Sequence, residues 1–274
     1  MSAVVRLDTR LSFNKDLIES PNLCDRFSAE ELATIGDLVW TGYERDEGSR
    51  APWKRRNEAA MDLAMQVQKD KSFPWPGASN VIFPLITISA LQFSARSYSN
   101  VVQGTDVVRY RVFGDDPTGE LTQRADRIGA HMSWQLLEED TAWEEQHDRL
   151  FINLSIVGCA FIKSFFSSKV RHNVNELVLA RDLVVDYWAK STESAARKTQ
   201  LITEFRNDIY EKVRRKVYRD VLDESWYKTT PVVVPISPQA DNRKGETPPQ
   251  PDQDTPFILL EQHRWLDLDH DGYA

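Results

Sequence analysis

Residues 73–85 read Phe73-Pro74-Trp75-Pro76-Gly77-Ala78-Ser79-Asn80-Val81-Ile82-Phe83-Pro84-Leu85. Two prolines two apart forbid a helix through the first half. Each lacks an N–H and disfavours helical backbone in the residue before it. Gly77 permits a tight bend, and Asn80 offers its side chain to nearby backbone. Pro84 suits the first turn of a helix, where a missing N–H costs nothing. The stretch is a stiff turn between helices. Trp75, Pro76, Gly77, Asn80 and Pro84 are expected to shape it, packed on the helical core.

Working outward, Ser28 and Glu31 have the spacing of a capping box, and Leu32, Ile35 and Val39 share one face of the helix that follows. A second helix is expected from about Arg55 to Lys69, with Ala60, Leu63 and Val67 inward. After Pro84, an apolar face of Leu85, Ile88, Leu91 and Ala95 predicts a third. Val107 to Phe113 alternates, with Val108, Tyr110 and Val112 against Arg109 and Arg111, which predicts a half-buried strand. Ile128, Met132 and Leu136 line a long helix. Thr141 and Glu144 are expected to cap its continuation through Trp143, His147, Leu150 and Leu154, ended by Gly158. Phe161 to Phe166 and Val174 to Leu179 read as a hairpin; Leu183 to Tyr187, Leu201 to Phe205 and Phe257 to Trp265 read as further strands. Asp208 and Glu211 open a helix with Ile209, Val213, Val217 and Val221 at fourfold spacing. No regular alternation of strand and helix runs through the chain, so the fold class is α+β, with long helices packed on small antiparallel sheets or hairpins.

These elements divide the chain into a loosely ordered lead-in (1–27), an α+β domain (28–227), a proline-rich loop or insertion (228–256), and a strand with an Asp/Gly turn (257–274). The chain has 274 residues, 41% of them hydrophobic, enough for a packed core. Its net charge of −8 argues against a dominant basic surface that grips nucleic acid, though not against a protein that DNA merely passes. Cys24 and Cys159, the two cysteines, form no framework or metal pattern and are expected as reduced thiols. No signal peptide is evident, and no run approaches the ~20 apolar residues of a membrane helix, so a soluble intracellular product without membrane association is expected.

The search for chemistry is thin. The 11 glycines form neither a phosphate-cradling nor a dinucleotide-binding loop. The five histidines, His131, His147, His172, His263 and His270, show no paired-ligand spacing, and no nucleophile elbow is present. An enzyme is therefore not expected, and no catalytic residue is assigned. Glu138, Glu139, Asp140, Glu144, Glu145 and Asp148 form an acidic cluster, read first as a solvated helix face. Lys212, Arg214, Arg215, Lys216 and Arg219 form a basic set that is either a solvated face or a contact for a polyanion or an acidic neighbouring subunit. Asp267, Asp269 and Asp271, with Gly272, match the front of a calcium loop. The acidic residue of position twelve would lie beyond Ala274, so an ordinary Asp/Gly turn competes with a Ca or Mg site, and no cofactor is otherwise expected.

The 73–85 stretch resembles the N-terminal region of tailed-bacteriophage portal proteins, the head-to-tail connectors, of the short-tailed-phage type. Later segments resemble that family in the same order: 109–114 (RYRVFG), 132–138 (MSWQLLE), 148–150 (DRL), 156–161 (IVGCAF), 180–185 (ARDLVV) and 265–269 (WLDLD). The resemblance covers roughly residues 30 to 274. It implies a wing-like region of a structural subunit in a homo-oligomeric ring, typically a dodecamer, at a capsid vertex of the virion, made in the host cytoplasm. It implies as partners the capsid protein, the terminase large subunit, tail and head-completion proteins, and DNA that passes without sequence specificity during packaging and ejection. In that family the chain continues into stem, clip and crown, so channel lining and terminase contact are expected from parts beyond Ala274. Two other readings compete: a stand-alone interaction module, and a metal-dependent nucleic-acid hydrolase built on the acidic residues.

Overall fold

The computed structural model describes residues 22, 24, 27–67, 72–79, 81, 83–102, 104–219 and 254–266. Helices and small antiparallel sheets are mixed, and the fold is α+β. The described residues form two units: one from 27–54 and 181–266, the other from 55–180. The span 28–227 thus contributes to both.

In the first unit, α1 (Ala29–Ser49) starts where expected. The Ser28 hydroxyl accepts the Glu31 N–H at 3.3 Å, and the Glu31 carboxylate accepts the Ser28 N–H at 2.7 Å. Two otherwise orphaned donors are satisfied. α2 (Ala51–Ala64) follows after Arg50 and passes from the first unit to the second at Lys54; Pro52 sits in its first turn, where proline is tolerated. The sheet has the order β3-β4-β5, all antiparallel: β3 (Leu183–Val185), β4 (Arg197–Glu204) and β5 (Phe257–Arg264). α6 (Arg206–Arg214), so numbered in chain order, follows β4. Val184 and Thr199, register partners, are fully buried. Thr199 keeps its hydroxyl inside by accepting from Gln262 Nε2 at 2.8 Å, across the β4–β5 ladder.

In the second unit, α3 (Leu85–Val101) packs on α5 (Trp143–Val157), and α5 packs on β2. The hairpin pairs β1 (Phe161–Ser167) with β2 (His172–Val178). α4 (Glu120–Trp134) continues through a π-helical turn, Gln135–Glu139. Val102, Trp143 and Phe151 form the core, with Tyr98, Val107, Leu136, Leu137 and Leu150 packed on it. Gly158 ends α5 at φ 85°, a left-handed position that glycine takes without strain.

Several expectations are corrected. Residues 107–113 form no strand. The segment has no ladder partner and is held by α4 instead: Val108 N–H donates to the Ser133 hydroxyl at 3.1 Å, and the Tyr110 ring lies over Gly129. Thr141 does not cap α5, whose N-cap is Ala142. The neighbouring Asp140 turns inward, accepting the Asn175 N–H and Nδ2, each at 2.9 Å. α2 stops at Ala64, short of Lys69, and Gln66 takes φ 55° beyond it. On α3 the buried residues are Ala90 and Ser94, while Leu85, Ile88, Leu91 and Ala95 face outward. α6 stops at Arg214, and Lys216 at φ 58° turns the chain before Val217 can extend its stripe. No helix of the described residues is long and apolar enough to cross a membrane.

Ser28→Ala is expected to cost about 1 kcal/mol in urea unfolding, the usual worth of such a cap. Trp143→Ala, emptying the core of the second unit, is expected to cost about 3–5 kcal/mol in the same measurement.

Candidate functional site

The most constrained group in the first unit was not legible locally, because its members lie far apart in sequence. Asp46, on the inner face of α1, is 2% exposed. Arg197 opens β4 and meets it in a two-pronged contact, Nε to Oδ2 at 2.5 Å and Nη2 to Oδ1 at 2.6 Å. Asp186 stands 3.7 Å from the same Nη2. Gly42 makes room for it: a Cβ there would lie 3.3 Å from Arg197 Cδ. Its hydrogen bonds to Asp46 hold the Arg197 guanidinium above its ordinary pKa against the opposing effect of burial. Arg264, its cross-strand neighbour, is lowered by burial and then by Arg197. Its Nη1 donates to the Leu38 carbonyl at 3.3 Å. Beside the pair lies an open cavity of about 500 Å³, lined in part by Arg45, Ser49, Tyr187 and Trp188. The last two rings meet edge-on at 5.0 Å, and both are exposed.

One turn along α1, Arg50 donates to the carbonyls of Arg181 and Leu183 at 2.5 and 3.2 Å. It also pairs with Glu47, as does Lys54. Burial alone would raise the Glu47 carboxyl, but the hydrogen bonds from Lys54 and Arg50 carry it below the usual range.

The residues singled out from sequence are not brought to one place. Trp75 is 64% exposed, not packed on helices, and Pro76 and Gly77 are exposed beside it. The turn exists: Gly77 takes φ 80° and Ala78 N–H returns to the Trp75 carbonyl at 3.1 Å. Pro84 is the N-cap of α3. Asn80 lies outside the described residues, as do Asp267, Asp269 and Asp271 and the densest part of the proline-rich segment. Lys212 leaves the basic set. It is held by the buried Glu204 and by Tyr218, and those hydrogen bonds raise it although burial opposes them. Arg215 pairs with Glu211 at 2.5 Å. Arg214, Lys216 and Arg219 are exposed with no carboxylate partner among the described residues.

The acidic cluster is also dispersed. Asp140 holds the hairpin, Glu144 accepts from the Tyr98 hydroxyl, Glu145 pairs with Arg149, and Asp148 accepts from Ser94 at 3.4 Å. Among the described residues no group of three or more His, Cys, Asp or Glu is placed to hold a metal ion. His147 packs on Trp143 with ring centroids 4.3 Å apart. Cys24 and Cys159 are free thiols.

Between α3 and α5 runs an open groove of about 860 Å³. Leu91, Ala95 and Ile152 give it an apolar floor, and Glu144, Glu145 and Asp148 an acidic rim. The sequence matches no model of a known protein family, and no curated protein matches it.

Asp46→Asn is expected to destabilise the chain by up to about 3 kcal/mol in thermal unfolding, because Arg197 loses its two-pronged counter-charge and is left with the more distant Asp186. Glu47 adds a pH signature. A lowered carboxyl stabilises above the ordinary unfolded value, about 4.3, and that share is lost as pH falls through the folded value. Glu47→Gln should therefore be less stable than wild type at neutral pH, with the difference vanishing in acid. An equal difference at both ends would contradict the pairing.

Proposed function

We propose that the chain is a structural subunit of a phage portal ring, giving DNA passage at a capsid vertex and a docking platform for terminase and tail proteins. One observation carries the reading beyond the resemblance. Large apolar side chains of the 73–85 segment, which opens the resemblance, stand in solvent. Phe73, Trp75, Val81 and Phe83 are 82%, 64%, 86% and 74% exposed. Leu85 and Leu91 continue the series along α3 at 62% and 56%. A single chain leaves this surface uncovered, and exposed apolar surface of this extent marks a place where another protein sits. A ring subunit covers such surface against its neighbours.

The charge balance supports the same reading. With a net charge of −8, the chain lacks the excess of Lys and Arg that grips a phosphate backbone, which suits a conduit through which DNA must move. The platform role for terminase, capsid and tail proteins rests on the resemblance alone.

Light scattering with negative-stain imaging tests the reading. Rings of about a dozen subunits are expected. Trp75→Ala should leave thermal stability within about 0.5 kcal/mol, as for an exposed side chain, while lowering the ring fraction. A discrete monomer at every concentration would overturn the ring for this chain and favour the stand-alone interaction module.

A further inference from the structure

The groove between α3 and α5 and the basic turn after α6 are complementary in pattern as well as in sign. The groove floor from Leu91 to Ser99 is about 12 Å long at helical rise, with its apolar residues inside and Glu144, Glu145 and Asp148 at its rim. Among the described residues, Glu144 and Asp148 accept from the uncharged hydroxyls of Tyr98 and Ser94 and have no cationic partner, while Glu145 pairs with the exposed Arg149. The basic turn has the inverse layout. Lys216, at φ 58°, reverses the chain and pushes Val217 out to 55% exposure. Arg214, Lys216 and Arg219 surround that apolar knuckle, exposed and without a carboxylate partner among the described residues.

From this we infer that the groove of one copy receives the Arg214–Arg219 turn of a second copy. Val217 seats on the Leu91–Ile152 floor, and the cations reach Glu144, Glu145 and Asp148. Each copy offers one groove and one turn, so the contact is heterologous: it repeats from copy to copy and either closes into a ring or runs on. The inference rests on the ring-subunit reading and assigns it a specific contact. A polyanion such as DNA is the competing occupant of the basic turn. The second copy is favoured because it supplies an apolar seat for Val217 as well as the opposite charge.

Sedimentation of the whole chain, with two charge-reversed variants, tests it. Self-association is expected to weaken about tenfold or more between low and high salt, as screening requires. Glu144→Arg with Asp148→Arg should abolish it, and so should Arg214→Glu with Arg219→Glu. Mixing the two variants should restore assembly, because each then offers the charge the other needs. The milder pair Glu144→Gln with Asp148→Asn should weaken association in the same direction, and circular dichroism checks that each variant folds. Assembly unchanged in both variants would overturn the groove contact and leave the ring standing. Wild type that never associates would overturn both. If Arg214→Glu with Arg219→Glu loses retention on DNA while assembly persists, the turn belongs to a polyanion and the inference fails.

Discussion

The contact between Asp46 and Arg197 decides how the first unit is put together. A carboxylate 2% exposed has given up nearly all its water, and two short hydrogen bonds from one guanidinium fork replace it. Such a pair adds little net stability over apolar residues of the same shape, because desolvation consumes most of the attraction. Its value is geometric. One rotation of α1 brings Asp46 over the start of β4, and glycine at position 42 leaves the arginine room that a Cβ, 3.3 Å from its Cδ, would tighten. Once that rotation is set, Gln262 and Arg264 on β5 reach the carbonyls of Val39 and Leu38, and Arg50 reaches those of Arg181 and Leu183. The helix is attached to the sheet largely through donors aimed at its own backbone, which leaves few alternative registers.

The second unit is organised differently. Trp143 and Phe151, two turns apart on α5, meet Val102 in an apolar cluster, and polar contacts settle the periphery. Asp140 and Gln146 take the outward N–H groups of Asn175 and Leu177, which fixes the hairpin to the helix beside it. Small residues, Ala90 and Ser94, line the buried side of α3. The larger apolar residues lie on the opposite side. A helix with its small residues packed and its leucines exposed presents an apolar face without cover among the described residues, and the proposed ring reading draws on that face.

The sequence revealed elements better than faces. The capping box at Ser28, the hairpin around residues 167–172, the glycine stop at 158 and the strand from Phe257 are local signals, and each depends on residues within one turn or one hairpin. The side chosen by α3 is not local. Apolar periodicity marks a face that seeks cover, and in a subunit that cover can come from another copy. Val107 to Phe113 alternates like a strand, but alternation only states that one side packs. Here the packing partner is helix α4, and no ladder forms. Asp46 and Arg197 carried no signal at all, since a lone Asp on a charged helix and a lone Arg before a strand are commonplace. Lys212 misled in the opposite way, reading as a free cation until the chain returned Glu204 to it.

The acidic groove rim and the basic turn bear on how the proposed ring subunit would both assemble and let DNA pass. If the cations of residues 214–219 faced a channel, each would add to a salt-sensitive hold on phosphate and slow the movement the channel exists for. Placed against carboxylates of a neighbour, the same cations are neutralised and withdrawn from phosphate, while the net charge of −8 per subunit is unchanged. Assembly through opposite charges also discourages wrong pairings, since groove against groove and turn against turn both repel. Apolar surface such as that of α3 has no such discrimination: it would cover itself against any similar face. In the proposed contact, a charged pairing that fixes order, beside an apolar one that supplies adhesion, would build a repeating head-to-tail array.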